Sequence, residues 1–585
     1  MPQKKFDGDI PLFIPRSTIS SAENKTGSWR YLRPFYEEKT APCSAACPVG
    51  ADIPRVEMLA RQGLFKKAGE IILEENPFPS ICGRVCFHPC ESACNRGDYD
   101  QPIAIHSLER FIGDTVLMQG IKADLQPHST NGKKVAIAGA GPAGLATAYF
   151  LSRLGYQSDI FEAQPESGGL LRWGIPDYRL PEDVLKRETS RIEDCGATIH
   201  YNTPVTQELL EKIMPTYDAV FIGCGYGRPI QLKIPGEQWA QDGLKFLHRI
   251  RTGEPASIQG TAAVVGGGNT AIDVARSLKR LGADPIIVYR RRKQDMPAFE
   301  PEIAMALEED IGLQELAAPI VIQKNDNHPS AADYGYTLTL QKMKVSATPI
   351  RGRARVVPDG DICETLNVDH IFMAIGAGPE AFWNPSAPTQ ISELTLSHCR
   401  IIERKVPVIY GGDLVNQPQS VTDAIASGKQ GAMALDVYFK QGWGAIEERL
   451  ASCRVGDGPA LSMAAYHNAE TKSRKAHVVS FEEINSDYFQ SSPRAVPIRL
   501  APDQRIQSFA EIESTLPKEA AVNEAQRCFN CGICTSCDYC RIYCPEVAVI
   551  VEKAQRRINL DYCKGCGICV TECPRNAMAL EEEKK

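Results

Sequence analysis

Two stretches of the chain share one rhythm of apolar and polar positions. From Lys133 a short apolar run, Val135 to Ala138, gives way to a glycine turn and a helical pattern in KKVAIAGAGPAGLATAYFLSRLGYQSDIFEA, and near Thr261 the same order recurs in TAAVVGGGNTAIDVARSLKRLGADPIIVYRRR. A short apolar run ending in glycine reads as a buried strand and the 3.6-residue periodicity after it as a helix, so each stretch predicts a βαβ unit. Ahead of the first unit lie helix-like segments such as Val56 to Glu74, bounded by proline-rich breaks. Between about Ile446 and Asn523 strong periodicity fades, which predicts a connecting arm over the surface of the folded units.

At 585 residues the chain is too long for a single hydrophobic core, so several folded units are expected. With 43% hydrophobic and 23% charged residues it reads as globular, and a net charge of −7 is weak for its size and argues against a nucleic-acid binder. No apolar run reaches the length of a membrane span. The opening MPQKKFDGDIPLFIPRS has too short and too proline-broken an apolar stretch for a secretory signal, so a cytoplasmic location is expected.

The glycine turns carry nucleotide chemistry. Gly139-x-Gly141-x-x-Gly144 follows a strand and opens a helix through Pro142 and Ala143, and Glu162 ends the next strand. The first glycine permits the turn, the second lets backbone approach a pyrophosphate, the third lets helix pack on strand, and the acid accepts ribose hydroxyls. Gly168-Gly169-Leu170 offers another close backbone approach, and Gly411-Gly412-Asp413 ends a later strand where Asp413 would hold a ribityl chain, with the helix after Val421 aimed at a flavin ring. These later segments favour FAD for the first unit. In the second unit Gly266, Gly267, Gly268, Asn269 and Thr270 form the turn, and the following strand ends in Arg290, Arg291 and Arg292. Guanidinium groups there pair with a 2′-phosphate, so NADPH is expected ahead of NADH. Cys363 stands without a C-x-x-C partner, which argues against thioredoxin-reductase-type thiol chemistry.

Of 21 cysteines, all but Cys195, Cys224, Cys363, Cys399 and Cys453 fall in tight clusters near the two ends. Such spacing in a reducing compartment points to metal ligands rather than disulfides. Cys534-x-x-Cys537-x-x-Cys540-x-x-x-Cys544-Pro and Cys563-x-x-Cys566-x-x-Cys569-x-x-x-Cys573-Pro have the two-cluster bacterial ferredoxin spacing, in which the fourth cysteine of each run ligates the other cluster. One [4Fe-4S] cluster is therefore expected on Cys534, Cys537, Cys540 and Cys573, and a second on Cys563, Cys566, Cys569 and Cys544. Cys528 and Cys531 extend the first run upstream and have no assigned role. Near the N-terminus stand Cys43-x-x-x-Cys47-Pro and Cys82-x-x-x-Cys86-x-x-x-Cys90-x-x-x-Cys94, where four-residue spacing suits cluster ligation or helix packing, with ligation favoured.

The motifs CSAACP, CGRVCFHPCESAC, AIAGAGPAGLATA, GGLLRWGIPDYRLP, VVGGGNTAIDVA and YRRRKQDMPA together resemble the NADPH-linked small (β) subunit of glutamate synthase and its relatives, over roughly residues 30 to 440. The resemblance implies a helical iron-sulfur domain followed by a glutathione-reductase-like FAD domain with an inserted NADPH domain. It also implies a cluster on Cys47, Cys86 and Cys90 with a non-cysteine fourth ligand at Glu109. Members of the family carry two further cysteines where this chain has Phe35 and Glu38, so a second N-terminal cluster retains Cys43 and Cys94, with Cys82 as a candidate substitute, and the N-terminal domain holds one or two clusters. The C-terminal module is similar to that of stand-alone relatives, the soluble NADPH-dependent iron reductases and the DsrL-like partners of dissimilatory sulfite reductase.

The expected fold is multi-domain α/β: an α-helical iron-sulfur domain (1–130), two Rossmann-like domains of glutathione-reductase type, and an α+β bacterial ferredoxin-like domain (526–585). The FAD domain is expected at 131–255 and 375–445, the NAD(P)H domain at 256–374 and the connecting arm at 446–525. Nicotinamide exchanges two electrons and a [4Fe-4S] cluster one, and FAD converts between them. The expected activity is NAD(P)H:acceptor oxidoreduction to or from a ferredoxin or partner redox enzyme subunit, within a complex or homo-oligomer. A small subunit of glutamate synthase and a non-catalytic wiring subunit are the alternatives.

Overall fold

The first glycine-turn stretch folds as strand Lys134–Ala138, helix Pro142–Arg153 and strand Gln157–Phe161. The computed structural model describes residue 23 and residues 25–121, 131–254, 257–325, 335–346, 355–379, 392–416, 419–467, 475–552 and 555–583. The opening stretch weighed above as a leader, and the expected boundary at 255/256, lie outside the described residues. A seven-stranded sheet runs Glu393–Thr395, Arg400–Ile402, Val408–Tyr410, Ala219–Ile222, Lys134–Ala138, Gln157–Phe161, Thr198–His200. Its last five strands are parallel, with Val135, Ile137 and Phe221 buried on one face and Ala136 and Val220 on the other.

The second stretch builds a separate five-stranded parallel sheet in the order Gly312–Glu315, Asp284–Tyr289, Thr261–Val265, His370–Met373, Gln241–Asp242. A three-stranded antiparallel sheet, Ala317–Lys324, Tyr336–Val345 and Val356–Val368, packs against it through Leu338 and Leu340. In both parallel sheets the glycine turn leaves the carboxyl end of a central strand, where open α/β sheets receive ligands.

In the N-terminal region the run from Val56 to Glu74 is two helices, Ile53–Ala60 and Phe65–Glu75, because the chain turns at Gly63 with φ 72°. Helix Pro79–Val85 crosses helix Ile105–Met118 closely: a Cβ on Gly83 would stand 2.4 Å from the Arg110 amide nitrogen, and one on Gly113 2.5 Å from that of Ser80. That approach sets Glu109 beside the cysteines after Pro79–Val85.

The first and last strands among the described residues meet. Strand Leu32–Tyr36 pairs antiparallel with Met578–Glu582, Tyr36 opposite Met578, and buried Arg30 donates to the carbonyls of Leu560 (2.6 Å) and Cys563 (3.1 Å) and to Glu583. The arm after Ile446 packs as much on the N-terminal helices as on the FAD-side sheet. Its apolar residues Val479, Ile484 and Leu516 enter one large core with Val56, Ile72 and Leu435. Its last helix, Lys518–Arg527, spans the expected boundary at 525/526, and Glu524 at its buried face accepts from the Ala104 amide at 2.8 Å.

Candidate cofactor and cluster sites

At the first glycine turn, Gly139 is left-handed (φ 96°), and a Cβ there would lie 2.9 Å from Cys224 Cα. A Cβ on Gly144 would stand 2.0 Å from the Gly139 carbonyl oxygen, so only glycine lets the helix seat. Gly141 caps the helix, Pro142 occupies its first turn ahead of Ala143, and its amide end is open. Across from it Gly169 (φ 54°) comes so near that a Cβ would be 2.9 Å from Gly141 Cα, with Leu170 starting the next short helix. These glycines make a backbone cradle that side chains would fill. Glu162 accepts from the amides of Ala140 (2.6 Å) and Gln164 (2.8 Å), and burial pushes its carboxyl up against the pull of those amides. Its remaining lone pairs are free for ribose hydroxyls.

Gly412 (φ 62°) donates its amide to Ser427 Oγ at 2.8 Å, which fixes the turn that carries Asp413. Burial, and then the Asp423 carboxylate, raise Asp413 to about 6, and its carboxylate has no hydrogen-bond partner among the described residues. A half-buried acid 3.9 Å from where a Cβ on Gly225 would lie fits a site that takes a polyol chain. Asp423 stands in the first turn of helix Val421–Gln441, capped by Ser420.

At the second turn Gly266 (φ 148°) would place a Cβ 2.2 Å from the Ala374 oxygen, whereas Gly268, capping helix Asn269–Leu281 with Thr270 in its first turn, has open space beside it. Asn269 Oδ1 accepts from the Phe299 amide at 2.9 Å, so this side chain braces the turn. Arg292 is paired with Asp295 at 2.8 Å. Arg290 is exposed and Arg291 half-buried at the end of strand Asp284–Tyr289.

Three sets of cysteines line cavities. Cys47, Cys86, Cys90 and Glu109 share one, walled by Val56, Ile72, Ile105 and Thr422. Burial, helped by Glu109, raises Cys86 to about 12, and burial raises Glu109 to about 8 against the Asn76 amide that donates to it at 2.9 Å. Thr422 Oγ1 lies 3.7 Å from Cys86 Sγ, which joins the start of helix Val421–Gln441 to this cavity. Cys534, Cys537, Cys540 and Cys573 line a second cavity with Tyr36, whose hydroxyl is 3.3 Å from Cys540 Sγ. Cys544, Cys563, Cys566 and Cys569 line a third. Cavities ringed by thiols and free of disulfides suit clusters.

Not every expected ligand joins these sets. Cys82, the candidate substitute beside Cys43 and Cys94, is fully buried with its thiol donating to Asn76 Oδ1 at 3.8 Å; after burial itself, Glu109 and Cys86 weigh on it most, whereas Cys94, Cys528 and Cys531 weigh on Cys43. Cys43 and Cys94 lie outside the first cavity's lining. Thr422 and Asn76 are the site residues that sequence reasoning missed, and neither carries a local motif.

Residues 36–121 match the family model for dihydropyrimidine dehydrogenase domain II, 4Fe-4S cluster, residues 133–317 that for pyridine nucleotide-disulphide oxidoreductase, and residues 556–579 that for a 4Fe-4S binding domain. The chain is 32% identical over 420 residues to the glutamate synthase (NADPH) small chain of Escherichia coli (strain K12), covering 67% of this chain and 87% of that one. It belongs to the glutamate synthase small-chain family. Within that family it is 33% identical over 525 residues to the NADP(+)-dependent formate dehydrogenase subunit beta of Moorella thermoacetica, covering 84% of this chain and 70% of the relative. It is 35% identical over 360 residues to the NADPH-Fe(3+) oxidoreductase subunit beta of Geobacter sulfurreducens (strain DL-1 / KN400), where the match covers 60% of this chain and 53% of that protein. As a family member the chain is an iron-sulfur flavoprotein and an NAD(P)H oxidoreductase. No helix among the described residues is long and apolar enough to cross a membrane.

Proposed function

We propose that this chain passes electrons between NADPH and an external redox partner, a ferredoxin or a partner enzyme subunit, through FAD and [4Fe-4S] clusters. The observation that carries the reading is the start of helix Val421–Gln441, where Asp423 faces Asp413 of the flavin cradle and Thr422 touches Cys86 of the first cysteine cavity. One short element thus borders both sites. Flavin, when bound, supplies the conversion between two-electron nicotinamide chemistry and one-electron cluster chemistry.

The chain's own residues hold and orient. Gly139, Gly141, Gly144 and Gly169 admit the dinucleotide backbone of FAD, Glu162 takes its ribose, and Gly412 and Asp413 take its ribityl chain. Gly266, Gly268, Asn269 and Thr270 form the NADPH turn, and Arg290 and Arg291 take the 2′-phosphate. Cys47, Cys86, Cys90 and Glu109 ligate one cluster, Cys534, Cys537, Cys540 and Cys573 another, and Cys544, Cys563, Cys566 and Cys569 a third. The ferredoxin-like module is the port to the partner, and the Moorella relative, named as a subunit of a formate dehydrogenase, supports a partner enzyme subunit. The glutamate synthase small chain is the second reading, favoured by the 87% coverage of the Escherichia coli protein. The test is anaerobic purification of the full chain, flavin and iron analysis, and NADPH oxidation with a dye acceptor. A chain that binds flavin and iron yet oxidises no NADPH with any dye would sink the proposal. Copurification with a glutaminase-bearing subunit would favour the second reading.

A further inference from the structure

The pair Cys528 and Cys531 lies outside both ferredoxin cavities, and its backbone indicates what it is built to do. In Cys534-Thr535-Ser536-Cys537-Asp538 the third and fifth residues are left-handed, with φ 58° and 70°, and in Cys563-Lys564-Gly565-Cys566-Gly567 they have φ 71° and 80°. Cys528-Phe529-Asn530-Cys531-Gly532 repeats the turn, with φ 52° at Asn530 and 76° at Gly532. A left-handed residue other than glycine costs about 1 kcal/mol, so the turn is not a relaxed default. It aims an amide at a sulfur: Asn530 N donates to Cys528 Sγ at 3.3 Å, as Gly565 N does to Cys563 Sγ at 3.4 Å. Amide donors to sulfur stabilise a thiolate that binds iron.

Opposite this turn stand Cys43 and Cys94. Cys43 lies within electrostatic reach of Cys94, Cys528 and Cys531; Cys528 reaches Cys531 and Cys94; and Cys531 reaches Cys94, so every pairing among the four is close. The turn is pinned from several sides. Lys39 N donates to Gly532 O at 2.9 Å, Asn530 Nδ2 to Pro54 O at 2.8 Å, and Asn95 Nδ2 to Cys531 Sγ at 3.5 Å. Phe529 is buried beneath Arg96, whose guanidinium carbon is 4.9 Å from the ring centroid. All four cysteines are free thiols. Zinc fits them poorly: a tetrahedron of zinc-thiolate bonds needs sulfurs only about 3.8 Å apart. Among the described residues only His88, Glu91 and His106 bring three ligand atoms within 4.8 Å of one another, so no three of these thiols are that close, and neither are any three in the ferredoxin cavities.

We infer that Cys43, Cys94, Cys528 and Cys531 together hold a further [4Fe-4S] cluster, with two ligands from the N-terminal helical region and two from the segment entering the ferredoxin module. Each thiol gives its proton to solvent as its sulfur bonds one iron of a cluster assembled from two ferrous ions, two ferric ions and four sulfides. The site bridges its neighbours, since Cys43 is within reach of Cys90 of the first cavity and Arg61 within reach of both Cys528 and Cys537. The inference deepens the electron-transfer reading and rests on it for the kind of metal bound.

The test uses the full chain, reconstituted anaerobically with iron and sulfide, as wild type, as Cys528→Ser/Cys531→Ser and as Cys82→Ser. The double variant is expected to carry about four iron and about four sulfide fewer per chain and to lose one paramagnetic signal of the reduced protein, with flavin content and NADPH-driven flavin bleaching kept. Cys82→Ser is expected to match the wild type. Wild-type iron and signals in the double variant would overturn the inference, as would zinc in the wild type that disappears from it. Should the double variant misfold, native mass spectrometry of the wild type decides: one cluster mass beyond those of the three cavities supports the site, and its absence refutes it. A wild type with neither flavin nor iron would instead sink the electron-transfer reading.

Discussion

Removing the two arginines at the end of strand Asp284–Tyr289 should change which nicotinamide the protein uses. Arg290 and Arg291 close that strand and are proposed to meet a 2′-phosphate, while Arg292 is paired with Asp295 at 2.8 Å. A hydrogen bond to a charged group contributes about 1.5–3 kcal/mol. Arg290 is exposed and Arg291 half-buried, so solvent screening reduces each to about 1 kcal/mol. Arg290→Ala/Arg291→Ala is therefore expected to lower kcat/KM for NADPH by about 30-fold and to leave that for NADH within about twofold. Steady-state dye reduction with each nucleotide measures both, and Arg292→Ala serves as the control with a smaller effect. An equal fall for NADPH and NADH, or no fall for either, would refute the assignment.

Thr422→Val removes the hydroxyl 3.7 Å from Cys86 Sγ and should make the potential of the neighbouring cluster more negative in a redox titration, with iron content unchanged; an unmoved potential would separate the helix from the cluster. Burial raises Asp413 to about 6 from 3.8, so the flavin-free protein is penalised as pH climbs through that range and not below it. Asp413→Asn should stabilise the flavin-free chain against chemical denaturation at about pH 8, by at most about 3 kcal/mol, but not at about pH 4, while weakening flavin retention; an equal gain at both pH values would contradict the cause given. Glu75 meets Lys429 at 2.6 Å, both fully buried, and also holds Ser462 Oγ at 2.6 Å and the Met463 amide at 2.9 Å. Glu75→Gln strands the lysine charge and should cost about 3 kcal/mol in chemical denaturation, a value that an unchanged midpoint would disprove.

The βαβ units are legible because strand, glycine turn and helix are all local: the run Val135 to Ala138 differs by one residue from strand Lys134–Ala138. The turn at Gly63 is hidden because apolar residues continue at helical spacing on both sides of it. The arm reads as featureless because Val479, Ile484 and Leu516 enter, one by one, a core built by other elements, and so show no face of their own. For the same reason the boundary at 525/526 misses helix Lys518–Arg527, whose seat is the N-terminal helical region. Cys82 stands four residues before Cys86 and has the spacing of a ligand, and only the fold turns its thiol to Asn76. Cys528 and Cys531 carry the spacing of the ferredoxin pairs, but their surroundings come from Cys43 and Cys94. Asn95 and Cys531 are hydrogen-bonded across 436 positions of chain, beyond the reach of any local pattern.

Arg30 and Glu583 stand 553 positions apart, and the ladder beside them, Leu32–Tyr36 with Met578–Glu582, cannot zip until the latter strand has left the ribosome. Closing so long a loop costs little more than closing a modest one, but it sets an order of events. During synthesis the helical region and both sheets form while Cys43 and Cys94 still wait for their distant counterparts. Deleting residues 578–582 should therefore free residues 32–36 as an unpaired edge, and damage to either strand would be felt first at the other.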